Sequence, residues 1–452
     1  MMNSPEKETG NLLLKFGLLA AYFFLPLLGV FLYFQGNWYG FFEPWSLSIA
    51  VGILAYGFIM NQFLLGSRLK IADKVFGHDR VLRFHGFMGI FTALLIFSHA
   101  FLKNFLEFPK NLQVFFGVGA AFIFMAIIVL SALLMSPIVL TRWKPLVALR
   151  EFSAKKLRLR YQRLRVVHNL VALAAILVAL HVFLASSTSE FYLRRAFMGG
   201  WFVAAISVYL YHKLLKPFLL RNKPFIVSRV SEESPGIVTL TFKVPESSGF
   251  PRKSGQFAFF KFLNGDARGE EHPFTLSSPA DSDEISITVK ALGDFTKKLV
   301  KVRVGDKAAV DGPYGLFTVA RVPEEKPLTF LAGGIGITPF LSILRELVKK
   351  RSQRKLNLVW NVRSSVDVFA RQELESFKKN LPNFTWKALI SRDSQSGDEK
   401  GKLNAEYLNA NPIENSSSVF LCGPSEQMRN LIEELNKRGV ANKAIHFEMF
   451  SF

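Results

Sequence analysis

Four of the eight histidines in this 452-residue chain fall inside long apolar stretches, His85 and His99 in one and His168 and His181 in another. Imidazole is rare in hydrocarbon and normally lines a functional interior. Separations of 14 and 13 residues correspond to roughly 21 and 19.5 Å along a helix axis, which puts one histidine of each pair toward each side of a membrane-sized layer. If both stretches run outward, His85 is level with His168 and His99 with His181. Two bis-histidine sites are then stacked across the layer, an arrangement that suits haem iron. Gly86 and Gly89, beside His85, leave room for a flat macrocycle to approach the backbone. A lone buried histidine is more often a satisfied helix contact, but two pairs at near-equal depth argue against that. The helical phase fits one stretch better than the other: at about 100° per residue, 14 steps return to within about 40° of the same face, whereas 13 steps miss by about 140°. Either the second helix is irregular or the two sites are rotated relative to one another. For His78, in a basic loop, and His212, at a helix end, solvated or interfacial roles are expected.

A second group of residues follows residue 220. HPFTLSS at 272–278 is succeeded by VKALGDFT at 289–296 and DGPYG at 311–315. A flavin needs a planar contact for its ring, hydroxyls for its ribityl chain and backbone donors for its pyrophosphate. Phe274, Thr275, Ser277 or Ser278, and the 293–296 turn with Gly293, Phe295 and Thr296 supply these in order; His272, Pro273 and Lys290 lie in the same motifs and are assigned with them. AGGIGITPF at 332–340 joins an apolar strand to a helix, so the N–H groups around Gly333, Gly334, Ile335, Gly336 and Thr338 are expected to hold a dinucleotide pyrophosphate. Pro339 stands where the full fingerprint has its third glycine. Arg363 in WNVRSS and the pair Ser391 and Arg392 in LISRDS each follow an expected strand, where guanidinium can grip a 2′-phosphate; a solvated surface charge is the plain alternative. Cys422, Gly423 and Pro424 in LCGP end another strand, at the edge where such sheets bind ligands, although a small buried thiol also serves simply as packing.

These residues need elements to carry them. Half of the chain is hydrophobic, 46 residues are Phe and the mean hydropathy is +0.24, which excludes a disordered chain and points to a membrane portion. Apolar spans at 12–34, 46–66, 83–103, 112–137, 166–186 and 196–216 each approach the ~20 residues that cross a ~30 Å core. The net charge of +21 does not mark a nucleic-acid binder, because residues 1–220 carry 22 Lys/Arg against 8 Asp/Glu while the remainder carries 34 against 27. The excess lies in the apolar half, bunched at 68–83 and 142–165 between spans, and again after span six. Basic loops prefer the cytoplasm, so both termini and everything after residue 220 are expected inside. The first span lacks a signal-peptide cleavage site and is expected to be retained. The single cysteine excludes an internal disulfide, a cysteine-rich zinc site, a cysteine-ligated iron–sulfur cluster and a CxxCH haem attachment. Beyond residue 220, alternating segments such as IVTLTFKV and ISITVK read as strands, and from about 325 the order strand, glycine turn, helix, strand reads as a βαβ nucleotide unit.

Taken together, six spans with His85, His99, His168 and His181, then HPFTLSS, LGDFT, GGIGITPF, WNVR, LCGP and an aromatic C-terminus resemble the NADPH oxidase and ferric reductase superfamily, over nearly the whole chain from about residue 46. The resemblance implies an all-α six-helix transmembrane bundle (1–220) fused to a ferredoxin-reductase-type module, with an antiparallel β-barrel FAD domain (221–322) and an α/β NADPH-binding domain (323–452). It implies two b-type haems on the four histidines, FAD and NADPH, and a multi-pass plasma-membrane protein whose dehydrogenase module is cytoplasmic. Phe450, with Phe452 as alternate, is similar to the terminal aromatic that covers the flavin ring, and Cys422 and Thr275 fall near the reacting atoms. The pattern also departs from the family: no D-x-[DN]-x-[DN]-G calcium loop is present, and Lys103 stands one turn beyond His99, where animal oxidases have a histidine near the oxygen site. Three readings follow. The first is an oxidase giving superoxide, the second a reductase of external ferric or cupric chelates, and the third a non-catalytic haem-binding membrane sensor or proton pathway, which leaves the flavin and nucleotide motifs unexplained.

Overall fold

Long apolar runs without a period of two fold as helices, and the stretches that alternate fold as strands. The computed structural model describes residues 5–35, 40, 42–106, 111–134, 161–246, 249–393 and 399–450. The chain divides into two compact units, Met1–Lys216 and Pro217–Phe452.

The first unit is helical: α1 (Pro5–Phe34), α2 (Pro44–Gly66), α3 (Lys70–Phe76), α4 (His78–Phe105), α5 (Leu112–Leu134), α6 (Tyr161–His168), α7 (Val171–Leu184) and α8 (Tyr192–Leu210), the last continuing through a π turn at Tyr211–Leu215. Among the described residues, six stretches are long and apolar enough to cross a membrane: Leu12–Phe34, Pro44–Gly66, His78–Phe105, Leu112–Ser131, Val166–Leu184 and Tyr192–Arg221. Their side chains are sorted in a way that suits lipid. Small residues such as Ala55, Ala120, Ala174, Ala175 and Ala205 line the interior beside Tyr56, Met60 and Trp201, which lets helix backbones approach. Leu13, Phe87, Phe115 and Phe122 point outward at 66–76% exposure. Most of the basic run at 142–165 lies outside the described residues.

The phase mismatch between His168 and His181 has a structural answer. At Asn169 and Leu170 the helix is broken into a tight turn, with Asn169 N–H donating to Val166 O, Leu170 N–H to Val167 O and Ala172 N–H to Asn169 O, all three residues back and at 3.0–3.1 Å. Such bonds wind the chain at about 120° per residue in place of about 100°, so three of them recover about 60° of the roughly 140° by which the phase misses. The fifth span is therefore the irregular one.

In the second unit, β1 (Phe225–Ser234), β2 (Ile237–Lys243), β3 (Phe257–Phe262), β4 (Glu271–Thr275), β5 (Glu284–Lys290) and β6 (Lys307–Tyr314) form an antiparallel sheet in the order β4-β3-β6-β1-β2-β5. The two edges meet where Ser277 N–H donates to Ser286 O at 2.7 Å, so the sheet curls around a core that includes Phe242, Phe260, Phe262 and Ile287. A second sheet is parallel, β10-β9-β8-β7-β11-β12, built from β7 (Leu328–Gly333), β8 (Leu356–Ser364), β9 (Phe384–Asp393), β10 (Glu399–Lys400), β11 (Ser418–Pro424) and β12 (Ile445–Phe450). Central β7 is buried along its whole length, as parallel strands covered on both faces are. Helices α9 (Thr338–Lys349), α10 (Arg371–Asn380) and α11 (Ser425–Lys437) accompany it.

Candidate functional site

The membrane helices bring the four histidines together in the expected pairs. The ring centres of His85 and His168 are 6.3 Å apart and those of His99 and His181 are 6.1 Å apart. Because α4 meets the fifth span at both levels, the two run in the same direction. His99 Nδ1 lies 2.7 Å from Ser48 O and His181 Nδ1 2.9 Å from Gln113 O. A carbonyl only accepts, so each of these rings carries its proton on Nδ1 and keeps Nε2 as an unprotonated ligand atom. His168 Nδ1 lies 3.3 Å from Ser131 Oγ, and His85 Nδ1 accepts at 2.6 Å from the side-chain amide N–H of Gln62, whose oxygen accepts from Gly89 N–H. A metal ion between two imidazoles, at about 2 Å from each nitrogen and with ~1.1 Å more to each ring centre, would separate the centres by roughly 6.2 Å. The spacing at both levels, and the unprotonated Nε2 atoms at the outer one, would suit an ion held between two imidazoles. Among the described residues, no group of three or more His, Cys, Asp or Glu is placed to hold a metal ion. A Cβ built on Gly86 or Gly89 meets nothing within 4 Å, so the space expected beside His85 exists. Lys103 Nζ sits 3.8 Å from the Trp45 ring centre. Arg194 donates to Leu32 O, Tyr33 O and Ser187 O at 2.8–3.1 Å, the first two being carbonyls at the end of α1.

In the antiparallel sheet, His272, Pro273, Phe274 and Thr275 occupy β4. The His272 ring stacks on Phe295 with centres 3.9 Å apart, its Nε2 lies 3.1 Å from Glu270 Oε2, and Phe274 lies near-parallel to Phe295 at 6.3 Å. Thr275 is buried and its hydroxyl has no protein hydrogen-bond partner among the described residues. An orphaned buried hydroxyl is costly unless something else meets it, which fits a polar edge of a bound flavin. Ser277 and Ser278 are differently placed from expectation. Ser277 Oγ accepts from Thr288 Oγ1 and Ser278 Oγ from Ser286 N–H, both at 3.1 Å, so the hydroxyls brace β5. Thr296 Oγ1 accepts from the N–H groups of Leu292 and Gly293 at 3.0 and 2.9 Å, using donors that had been expected for phosphate. Lys290 forms an ion pair with Asp367 at 2.6 Å and is thereby a link between the sheets.

In the parallel sheet the chain order reverses between β7 and β11, and ligands of such sheets bind at the carboxyl ends of the strands flanking that reversal. The 333–336 turn leaves β7 there, and Cys422, Gly423 and Pro424 end β11 beside it. The two loops touch backbone to backbone: a Cβ on Gly336 would lie 2.2 Å from Cys422 O, and one on Gly423 2.9 Å from Gly333 Cα. Gly334 O accepts from the indole of the fully buried Trp360 at 2.8 Å. Thr338 is buried and Pro339 stands in the first turn of α9, where its missing N–H is harmless. The Cys422 side chain is fully buried in the apolar core, so packing is its observed role. Arg363 and Arg392 are exposed at the ends of adjacent strands, with Val362 paired to Ile390 and Ser364 to Asp393, while Ser391 Oγ donates to Val362 O at 3.1 Å. The backbone of Phe450 pairs with Pro424; its side chain, and Phe452, lie outside the described residues.

Residues 227–318 match the FAD-binding domain family, and residues 330–434 match the oxidoreductase NAD-binding domain family. The chain is 23% identical to the toluate 1,2-dioxygenase electron transfer component of Pseudomonas putida over 50% of its own length and 66% of that protein. It is 29% identical to the glycine betaine monooxygenase reductase subunit of Chromohalobacter salexigens (49% and 62%) and 26% identical to a flavohemoprotein of Xylella fastidiosa (50% and 58%). It thus spans under two thirds of the length of these relatives. Among solved structures, a ferredoxin NADP+ reductase from Neisseria gonorrhoeae with bound FAD and NADP superposes with a TM-score of 0.44 at 23% identity, covering 50% of this chain and 97% of that one. The antiparallel sheet of the second unit thus carries the FAD-binding match and its parallel sheet the NAD-binding match.

Within this module, residues that the motifs did not reveal hold its two halves in register. From one stripe of α9, Ser342 Oγ donates to Ser278 O at 2.7 Å, Arg345 to Ser277 O at 2.5 Å and to Glu373, and Lys349 pairs with Asp281 at 2.5 Å. The Lys349 ammonium holds the Asp281 carboxyl below the usual carboxylate range. Arg252 donates to Pro279 O, Ser282 O and Glu284 O and so pins the loop after the flavin motif. Only the three- and four-residue spacing of polar positions on an otherwise apolar α9 hints at this clamp. Gly336→Ala is expected to destabilise the module by about 1–3 kcal/mol through overpacking and to slow flavin reduction by NAD(P)H while FAD content is kept. Thermal unfolding and stopped-flow flavin bleaching measure both; an unchanged melting temperature would show that the loops can part.

Proposed function

We propose that this protein is a transmembrane oxidoreductase that carries electrons from cytosolic NADPH, through FAD and two b-type haems, to oxygen on the outer side, giving superoxide. The observation that supports it most is the pair of facing histidine pairs, at the spacing of axial ligands and with every Nδ1 already engaged, in a chain that also holds a flavin and NAD module. Bound FAD takes two electrons as hydride and releases them singly, and bound haem passes one at a time. The remaining work belongs to side chains and backbone of this protein. The glycine turn and the start of α9 receive the pyrophosphate, Arg363 and Arg392 with Ser391 receive the 2′-phosphate, and Thr275 meets the flavin with Phe450 or Phe452 over its ring. His85 and His168 ligate the inner haem, and His99 and His181 the outer one. The six spans lie in the lipid bilayer of the plasma membrane, and basic loops keep the module and both termini in the cytoplasm. Overall, one NADPH reduces two oxygen molecules to two superoxide anions and leaves NADP+ and one proton. Lys103, one turn past His99, places a positive charge where superoxide develops.

Wild-type protein is expected to bind two b-type haems noncovalently, and His99→Leu or His181→Leu to bind one. Pyridine-haemochrome content decides this, and equal content in all three proteins would sink the assignment. Replacing both Arg363 and Arg392 by Ala should lower kcat/KM for NADPH about 10–100-fold relative to NADH, the worth of one or two charged hydrogen bonds; an unchanged ratio means the 2′-phosphate is read elsewhere. Turnover in air should reduce cytochrome c in a manner suppressed by superoxide dismutase, and Lys103→Ala should lower kcat at constant haem content. Dismutase-insensitive turnover that persists anaerobically on a ferric chelate would favour a metalloreductase.

A further inference from the structure

Helices α2 and α5 contain no histidine, yet each supplies the hydrogen-bond partners of one histidine-bearing span. From α2 come Ser48 O for His99 and the Gln62 amide for His85; from α5 come Gln113 O for His181 and Ser131 Oγ for His168. The two levels are built differently. At the outer level both partners are main-chain carbonyls, and each has a glycine four residues later, Gly52 after Ser48 and Gly117 after Gln113. In an α-helix the residue at i+4 is the one whose N–H faces carbonyl i, so a side chain there shields it. A Cβ on Gly52 would lie 2.8 Å from His99 Nδ1, and one on Gly117 2.6 Å from His181 Nδ1. The glycines therefore open the carbonyls to the imidazoles. At the inner level the partners are side chains, an amide and a hydroxyl.

We infer that Gln62 and Ser131 are positioning residues of the inner site alone, and Gly52 and Gly117 of the outer site alone, so that the two haem potentials are set by separate residues on α2 and α5. This rests on the haem reading above. At the outer level a carbonyl acceptor on Nδ1–H fixes the ring and raises the basicity of Nε2, which favours the ferric over the ferrous state, so removing it should raise the midpoint potential of that haem. At the inner level the Gln62 amide donates to His85 Nδ1, which lowers the basicity of that ring, so removing it should lower the midpoint potential there.

The test is a spectroelectrochemical titration of full-length, haem-loaded protein, followed by EPR of the two ferric signals. Gln62→Leu and Ser131→Ala should each shift the same one of two waves, Gln62→Leu downward, by about 59 mV for each tenfold change of ferric preference in a one-electron couple, and alter one EPR signal. Gly52→Ala and Gly117→Ala should raise the other wave and alter the other signal. Loss of one haem with the second wave in place counts the same way. Gln62→Glu, which replaces the amide donor by a carboxylate acceptor, should move the inner wave down, and carries the test if Gln62→Leu does not accumulate. Waves that shift together in every variant, or in none, would overturn the inference. A wild-type protein without haem would instead remove the reading beneath it, and pyridine haemochrome separates the two failures.

Discussion

An imidazole among apolar helices has two nitrogens to satisfy and no water to satisfy them. That constraint organises the first unit. With one nitrogen kept for a ligand, as in the reading proposed above, the other must find a hydrogen-bond partner on a neighbouring helix, and the partners available among apolar side chains are side-chain amides and hydroxyls or carbonyls laid bare by a missing side chain. Each histidine thereby fixes not only its own helix but the rotation of the helix beside it. Packing of α2 against α4 and of α5 against α7 is the structural expression of four hydrogen bonds. The break at Asn169 and Leu170 belongs to the same account, because a straight fifth span would turn one of its histidines away from its partner.

The second unit rests on a different constraint, the close approach of two backbones. Hydride transfer requires reacting atoms about 3–3.5 Å apart, and the loops that frame the nucleotide crevice meet with no room for a methyl group at Gly336. Precision there is useful only if the flavin-binding sheet is held to the same standard. The Ser342, Arg345 and Lys349 stripe does this by tying the helix that starts at the glycine turn to the backbone of the flavin motif itself, and Lys290 with Asp367 adds a second tie. The face of α9 opposite this stripe is apolar, with Phe340, Leu344 and Leu347 buried in the core, so one helix is fastened on both sides.

Much of this was legible beforehand because it is written in residue type. Six spans follow from runs of apolar residues, and histidine in such a run is rare enough to stand out. The strand and turn pattern after residue 220 likewise yields both sheets. What the residue types conceal is which hydrogen-bonding groups the fold consumes. Ser277, Ser278 and Thr296 have the right hydroxyls for a flavin, yet those hydroxyls close the sheet and cap a turn. The carbonyls of Ser48 and Gln113 are invisible for the opposite reason: every residue has one, and only the glycines four positions later distinguish these two. The 13-residue spacing of His168 and His181 did carry a signal, since its phase error left either an irregular helix or two mutually rotated sites, and only the structure places a break at Asn169 and Leu170.

The cations show how the fold separates structural from functional charge. Arg194 and Arg252 spend their donors on main-chain carbonyls, and Lys290, Arg345 and Lys349 on carboxylates or carbonyls. Diverting any of them to a phosphate would break bonds that contribute about 1.5–3 kcal/mol each where charge is involved, and would also loosen the segment they hold. Arg363 and Arg392 differ. They sit exposed at the ends of neighbouring parallel strands and make no side-chain hydrogen bond or ion pair among the described residues, so a phosphate gained there displaces only water. In the reading proposed above, selectivity for a 2′-phosphate therefore rests on two arginines free of other bonds among the described residues, at the sheet edge where the strand order directs a nucleotide.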